Sequence, residues 1–177
     1  MSNPIITFAL RGTQVLFSVV VLGLSIGLIK GQKYPGAAIP ATLGYAAFVG
    51  ATSLLGAFIG LASNWVELLQ GIIGAAIDGF VLVINIAGGI IIAYKLRGIN
   101  CANKDLDYVH DKMRLNDLLS GGCGRTGGVY QCWYWDSLQP GKLNSRCQVS
   151  QADSVFMFLT VVILIATLTM TFLHLKR

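Results

Sequence analysis

Four runs of about 20 mostly apolar residues constrain this chain more than any other feature, because each can cross about 30 Å of hydrocarbon as a helix. They lie at about residues 5–29, 41–62, 68–94 and 155–175. A soluble core helix needs only an apolar stripe, whereas these runs are apolar on every face, as a surface surrounded by acyl chains requires. Composition agrees: 54% of the 177 residues are hydrophobic and 12% charged, against about a quarter charged in soluble domains. The formal charge of +5 is modest and contains no basic run, so a nucleic-acid partner is not expected. Basic residues beside the spans suit anionic headgroups instead.

The first apolar core, Val15 to Ile29, is short, so its helix is expected to begin near Ile5. Arg11 would then sit in its first turns with the guanidinium snorkelling to headgroups. Gly31, Pro35, Gly36 and Pro40 break the chain after it. A short link, Ser63 to Glu67 with an interfacial Trp65, makes the second and third helices an antiparallel hairpin. No small-x-small site follows the first run, so it is read as a span and not as a cleaved signal. The expectation is one tetraspan domain over 1–177: an all-α four-helix membrane bundle, both termini on one side, and a cysteine-rich loop at about 95–150.

Within that loop, Asn103 is placed to cap a short helix running to Leu119. The Gly-rich stretch and the Trp133-Tyr134-Trp135 cluster that follow point to an irregular or hairpin-like cap. All four cysteines, Cys101, Cys123, Cys132 and Cys147, lie in the loop and none in a span. An even set confined to one loop points to disulfides on an oxidising face. Of the three possible connectivities, the nested one pairs Cys101 with Cys147 at the neck and Cys123 with Cys132 inside it. Zinc competes poorly, since its sites favour close cysteine pairs. The positive-inside rule opposes this orientation, because Lys30, Lys33, Lys95, Arg97, Lys104, Lys112 and Arg114 share the side of the cysteines. The rule weakens as a loop nears about 60 residues.

Gly122-Cys123-Gly124-Arg125-Thr126-Gly127 spells a dinucleotide fingerprint, but no strand precedes it and no helix clearly follows. Freedom for a tight, disulfide-closed turn explains the glycines better. Small residues recur every four positions in the spans: Gly23, Gly27 and Gly31, then Gly56 and Gly60, then Ala75 and Gly79. Such stripes allow close helix packing in lipid, within the bundle or against another copy. Asp78 is the one carboxylate clearly inside a span, with Asn85 on nearly the same face. Its burial would cost roughly 2.5–3.5 kcal/mol if it met lipid, so it is expected to face other helices. His110 and His174 form no visible catalytic pair, and no cofactor is expected. Trp133, Tyr134 and Trp135 suit either a membrane interface or a contact face.

The chain resembles the MARVEL-domain tetraspans, specifically a fungal non-classical export protein family of plasma-membrane microdomains. The resembling pieces are Arg11 to Phe17, Asp78 followed by Ala87-Gly88-Gly89, Lys95 to Cys101, and Ser145 to Asp153. The resemblance implies cytosolic termini, an extracytoplasmic cysteine loop and organisation of sterol- and sphingolipid-rich domains. The insert bearing Cys123, Cys132 and the Trp cluster departs from the shorter family loop. The leading expectation is therefore a non-enzymatic plasma-membrane protein that forms homo-oligomers and contacts membrane lipids. A small-solute or ion pathway past Asp78 and Asn85 is the alternative, and a lipid-modifying enzyme the weakest reading.

Overall fold

The computed structural model describes residues 4–62 and 72–175. Four of its helices are long and apolar enough to cross a membrane: α1 (Pro4–Lys30), α2 (Ala41–Ala62), α3 (Ile72–Lys95) and α6 (Pro140–Leu175). Between α3 and α6 lie α4 (Leu106–Met113), β1 (Cys123–Thr126), β2 (Val129–Cys132) and the single turn α5 (Trp133–Asp136). The Ser63–Glu67 link with Trp65, the expected start of the third span at Leu68, and the terminal Lys176 and Arg177 lie outside the described residues.

The spanning helices close a ring in which α1 packs on α2, α2 on α3, α3 on α6 and α6 on α1. Lipid tails are as apolar as Leu, so this packing depends on close approach. Glycine provides it. A Cβ on Gly50 would fall 2.7 Å from the Leu22 backbone nitrogen, so α1 and α2 touch backbone to backbone there. Gly88 and Gly89 receive the Met157 sulfur and the Phe158 ring from α6, each 2.9 Å from where a Cβ would stand. Large apolar side chains such as Leu16, Leu55, Phe80, Val83 and Val162 point outward.

The fourth helix departs from expectation at its start. It begins at Pro140, not near Val155, and its 36 residues rise about 54 Å at about 1.5 Å each. That exceeds the hydrocarbon thickness of about 30 Å. Its first turns therefore form a stalk inside what the sequence had as loop, and the cap packs around it. Pro140 favours this start, because a proline in the first helical turn forfeits no intrahelical bond.

The cap also contains β structure. β1 and β2 pair antiparallel, with Cys123 opposite Cys132 and Thr126 opposite Val129. Gly127 and Gly128 hold positive φ in the connecting turn, as a two-residue hairpin loop demands. The loop helix is shorter than expected and is capped by Asp105, whose carboxylate accepts from the Asp107 N–H. Asn103 instead accepts from the Asp105 N–H, a local turn that sets up the cap. One hydrophobic core runs without a break from Val109, Met113, Leu118 and Leu119 in the cap to Leu28, Leu43 and Val49 in the upper bundle.

Candidate functional site

The interior of the bundle is polar at a seven-residue period. On α1 the side chains turned fully inward are Arg11, Gln14, Ser18, Val21, Ser25 and Leu28, at alternating spacings of three and four. Such spacing keeps one seam facing its neighbours in a helical bundle. Here most of the seam is hydrophilic.

Its lowest layer is an ion pair. The Arg11 guanidinium donates to both carboxylate oxygens of Asp78, at 2.6 and 2.5 Å, and to Gln14 Oε1 at 2.9 Å. Arg11 is 6% exposed and Asp78 1%. Arg11 therefore does not snorkel. It reaches inward across the ring, because the fork of a guanidinium matches a carboxylate in two parallel bonds. Gly60 on α2 makes room, since a Cβ there would meet the guanidinium.

One heptad along, Asn85 Nδ2 donates to Ser53 Oγ at 2.7 Å and to the Val81 carbonyl at 2.8 Å. Ser18 is buried one heptad above Arg11, its hydroxyl bonded to the Gln14 carbonyl. A further heptad brings Ser25, which donates to the fully buried Asp153 of α6 at 2.9 Å. Thr160 and Thr167 repeat the same interval on α6 and bond the Phe156 and Leu164 carbonyls. Val21, Val49, Val81, Met157 and Leu164, all buried, occupy positions between these polar groups. Asp78 and Asn85 thus share the interior face as their spacing required, but each is bound to a different helix.

Above the bundle, Arg146 joins cap to membrane helices. Its guanidinium donates to the Leu118 carbonyl from Nε at 3.1 Å and Nη2 at 2.7 Å, and to the Leu28 carbonyl from Nη1 at 3.0 Å. Leu28 lies in the last turn of α1, where exposed carbonyls make the helix end partly negative. Tyr134 sits under the guanidinium, 5.5 Å from ring centroid to carbon, and donates to the Gly31 carbonyl at 2.9 Å. A Cβ on Gly31 would collide with Arg146.

The aromatic cluster is split between the core and the surface. Tyr134 is buried, Trp133 and Trp135 are partly buried against the core, and Trp135 packs beside His110 at 5.0 Å. Consecutive residues in one helical turn cannot share a face, so a triplet cannot present three rings to one partner. Both disulfides form in the nested arrangement, Cys101 with Cys147 and Cys123 with Cys132. No cysteine is left free, which removes the zinc alternative.

The small residues divide sharply. Gly31, Gly56 and Gly60 receive neighbouring side chains, whereas Gly23, Gly27 and Gly79 would meet nothing within 4 Å if given a Cβ. Gly23 and Gly27 are exposed, and Ala75 is half-buried. Sequence reading missed the Arg146 fan and Asp153. The signal was present: a lone Arg and a lone Asp, seven residues apart, on what proves to be one long helix.

Neither a curated protein nor a solved structure matches the chain. The membrane-associating domain of the MARVEL family matches residues 4–170, which takes in α1 to α3, the cap and α6 as far as Met170. The chain belongs to the MARVEL family of membrane-associating domains.

Proposed function

We propose that this protein is a non-enzymatic tetraspan of the plasma membrane that associates with its own copies and organises lateral domains, with sterol or sphingolipid contacts. One observation carries the reading. The glycines at 50, 56, 60, 88 and 89 face neighbouring groups of the same chain, while Gly23 and Gly27 form an outward, unfilled groove on α1. A groove of that kind admits a neighbouring helix or a flat lipid at close range. Membership of a membrane-associating family supports the same role.

The orientation that accompanies this reading puts the termini in the cytosol and the cap outside. Two disulfides favour it, since such bonds persist in oxidising compartments. The ion-pathway alternative is disfavoured by geometry: Asp78 is neutralised by Arg11, and Val21, Val81 and Met157 fill the interior above it. Single-molecule photobleaching in native-lipid nanodiscs tests self-association. Oligomers that dissociate on Gly23→Leu or Gly27→Leu are expected. Monomers across lipid compositions, or selective flux that disappears with Asp78→Ala, would overturn the reading.

A further inference from the structure

The Gly122-to-Gly127 stretch has no phosphate-binding context, yet its glycines are used. Tyr34, in the turn after α1, lies flat against the hairpin backbone. A Cβ on Gly122 would stand 2.9 Å from the Tyr34 Cβ, and one on Gly124 would run into the Tyr34 ring. The Tyr34 hydroxyl bonds Thr126 Oγ1 at 2.6 Å. Behind it, the Lys33 and Tyr34 N–H groups both donate to the Gly121 carbonyl. Side-chain-free backbone at 122 and 124 therefore seats one aromatic ring in a fixed place.

That ring forms one wall of an open cleft of about 310 Å³, within the range of about 300–1,000 Å³ usual for small-molecule sites. Trp133 and Pro35 contribute further apolar surface, and Gln131, Asp136 and Ser137 contribute polar groups. The frame is tied. Cys132 is bound to Cys123, its N–H donates to Asp136 Oδ2, and the Trp133 N–H donates to the Gly122 carbonyl. A wall held in this way loses little freedom when it binds.

The lining selects the ligand's chemistry. Among the described residues no Lys or Arg lines the cleft, so an anion finds no counter-charge there. Asp136 already accepts from the backbone and has Arg114 at 3.9 Å, so a simple cation gains little. What remains is aromatic surface beside amide, hydroxyl and carboxylate groups. The Gln131 and Ser137 side chains have no hydrogen-bond partner among the described residues. Aromatic faces carry negative charge density and attract the C–H faces of a pyranose ring, whose hydroxyls then meet the polar groups. We propose that this cleft binds a neutral sugar residue, carried by a free glycan or by a glycolipid headgroup. Tyr34 lies four residues beyond the end of α1, so the cleft belongs to the cap end of the bundle, where either source would meet it.

Saturation-transfer NMR on the full chain in nanodiscs tests the site. The probes are methyl glycosides of glucose, mannose, galactose and N-acetylglucosamine, with putrescine and inorganic phosphate as charged comparators. At least one glycoside is expected to bind saturably while the comparators do not. Gln131→Ala should weaken it about two- to tenfold, the effect of one net hydrogen bond. Gly124→Ala, which drives Tyr34 from its seat, should abolish it with both disulfides still intact by peptide mapping. Lys142→Ala, outside the cleft, should change nothing. Glycosylceramide carrying the same sugar distinguishes the sources: tighter binding assigns a lipid headgroup, and equal affinity assigns a free glycan. Binding of the comparators alone, no saturable glycoside, or indifference to both Gln131→Ala and Gly124→Ala would overturn the proposal. None of these outcomes depends on self-association.

Discussion

Arg11 and Asp78, 67 residues apart in sequence, meet through two charge-assisted hydrogen bonds across the interior of the helix ring. Removing one partner strands the other charge in a low-dielectric interior, which typically costs about 3–5 kcal/mol. Asp78→Ala and Arg11→Ala are each expected to destabilise the bundle by that order, measured by unfolding in mixed micelles. The double variant Arg11→Met with Asp78→Leu should recover most of the loss, since an apolar pair of similar volume leaves no charge stranded. Additive losses in the double variant would show that the two side chains do not act as a pair.

Gly60 is predicted to be intolerant for the same reason. A Cβ there meets the Arg11 head group, which is fixed at both ends by Asp78 and Gln14. Gly60→Ala should cost about 1–3 kcal/mol as overpacking. Gly79→Ala, with nothing within 4 Å of its Cβ, should be neutral or stabilising by up to about 1 kcal/mol, because Ala is the better helix former. The comparison separates a glycine needed for space from one that is not, and thermal unfolding of the two variants side by side reads it.

The number of spans and the nested cysteines were legible because each follows from local chemistry: length against hydrocarbon thickness, and thiols against compartment. Arg11 was misread because snorkelling depends on depth alone, whereas its actual partner lies on a helix that sequence distance cannot bring near. The start of α6 was misread because hydropathy marks where lipid ends, not where a helix ends. Residues 140–150 are polar enough to look like loop, yet Leu143 and Cys147 bury one face fully. The glycine stripes were visible as stripes, but which face each occupies depends on the crossing points of neighbours. Gly50 and Leu22, whose contact sets α1 against α2, carry no shared sequence signal.

The two disulfides should differ in energy and in accessibility. Chain entropy gives about 4 kcal/mol for the Cys101–Cys147 closure and about 2.5 kcal/mol for Cys123–Cys132, from sequence separations of 46 and 9. Cys101 and Cys147 are both buried, whereas Cys123 is half-exposed. Graded reduction followed by differential alkylation should therefore open the hairpin bond first. Paired serine substitution at 101 and 147 should lower cap stability more than substitution at 123 and 132. Equal reduction rates, or recovery of a Cys101–Cys123 peptide, would contradict this order.

Arg146 is expected to hold the cap to the bundle through geometry and not through charge alone. Its fork supplies two bonds to the Leu118 carbonyl and one to Leu28 while lying over Tyr134. A lysine at this position keeps the charge but not the planar, divergent donors. Hydrogen bonds from a charged donor contribute about 1.5–3 kcal/mol, so Arg146→Lys should weaken docking by at least one such bond, and Arg146→Ala by more. The loss should be local. Hydrogen–deuterium exchange is expected to rise at 118–122 and 133–139, where backbone bonds such as Tyr134 N–H to the Ser120 carbonyl depend on the docked cap. Amides of α2 and α3, tied through Asn85, Ser53 and the glycine contacts, should keep their protection. Uniform deprotection of cap and spans together would mean that the two fold as one cooperative unit and that Arg146 is not the hinge between them.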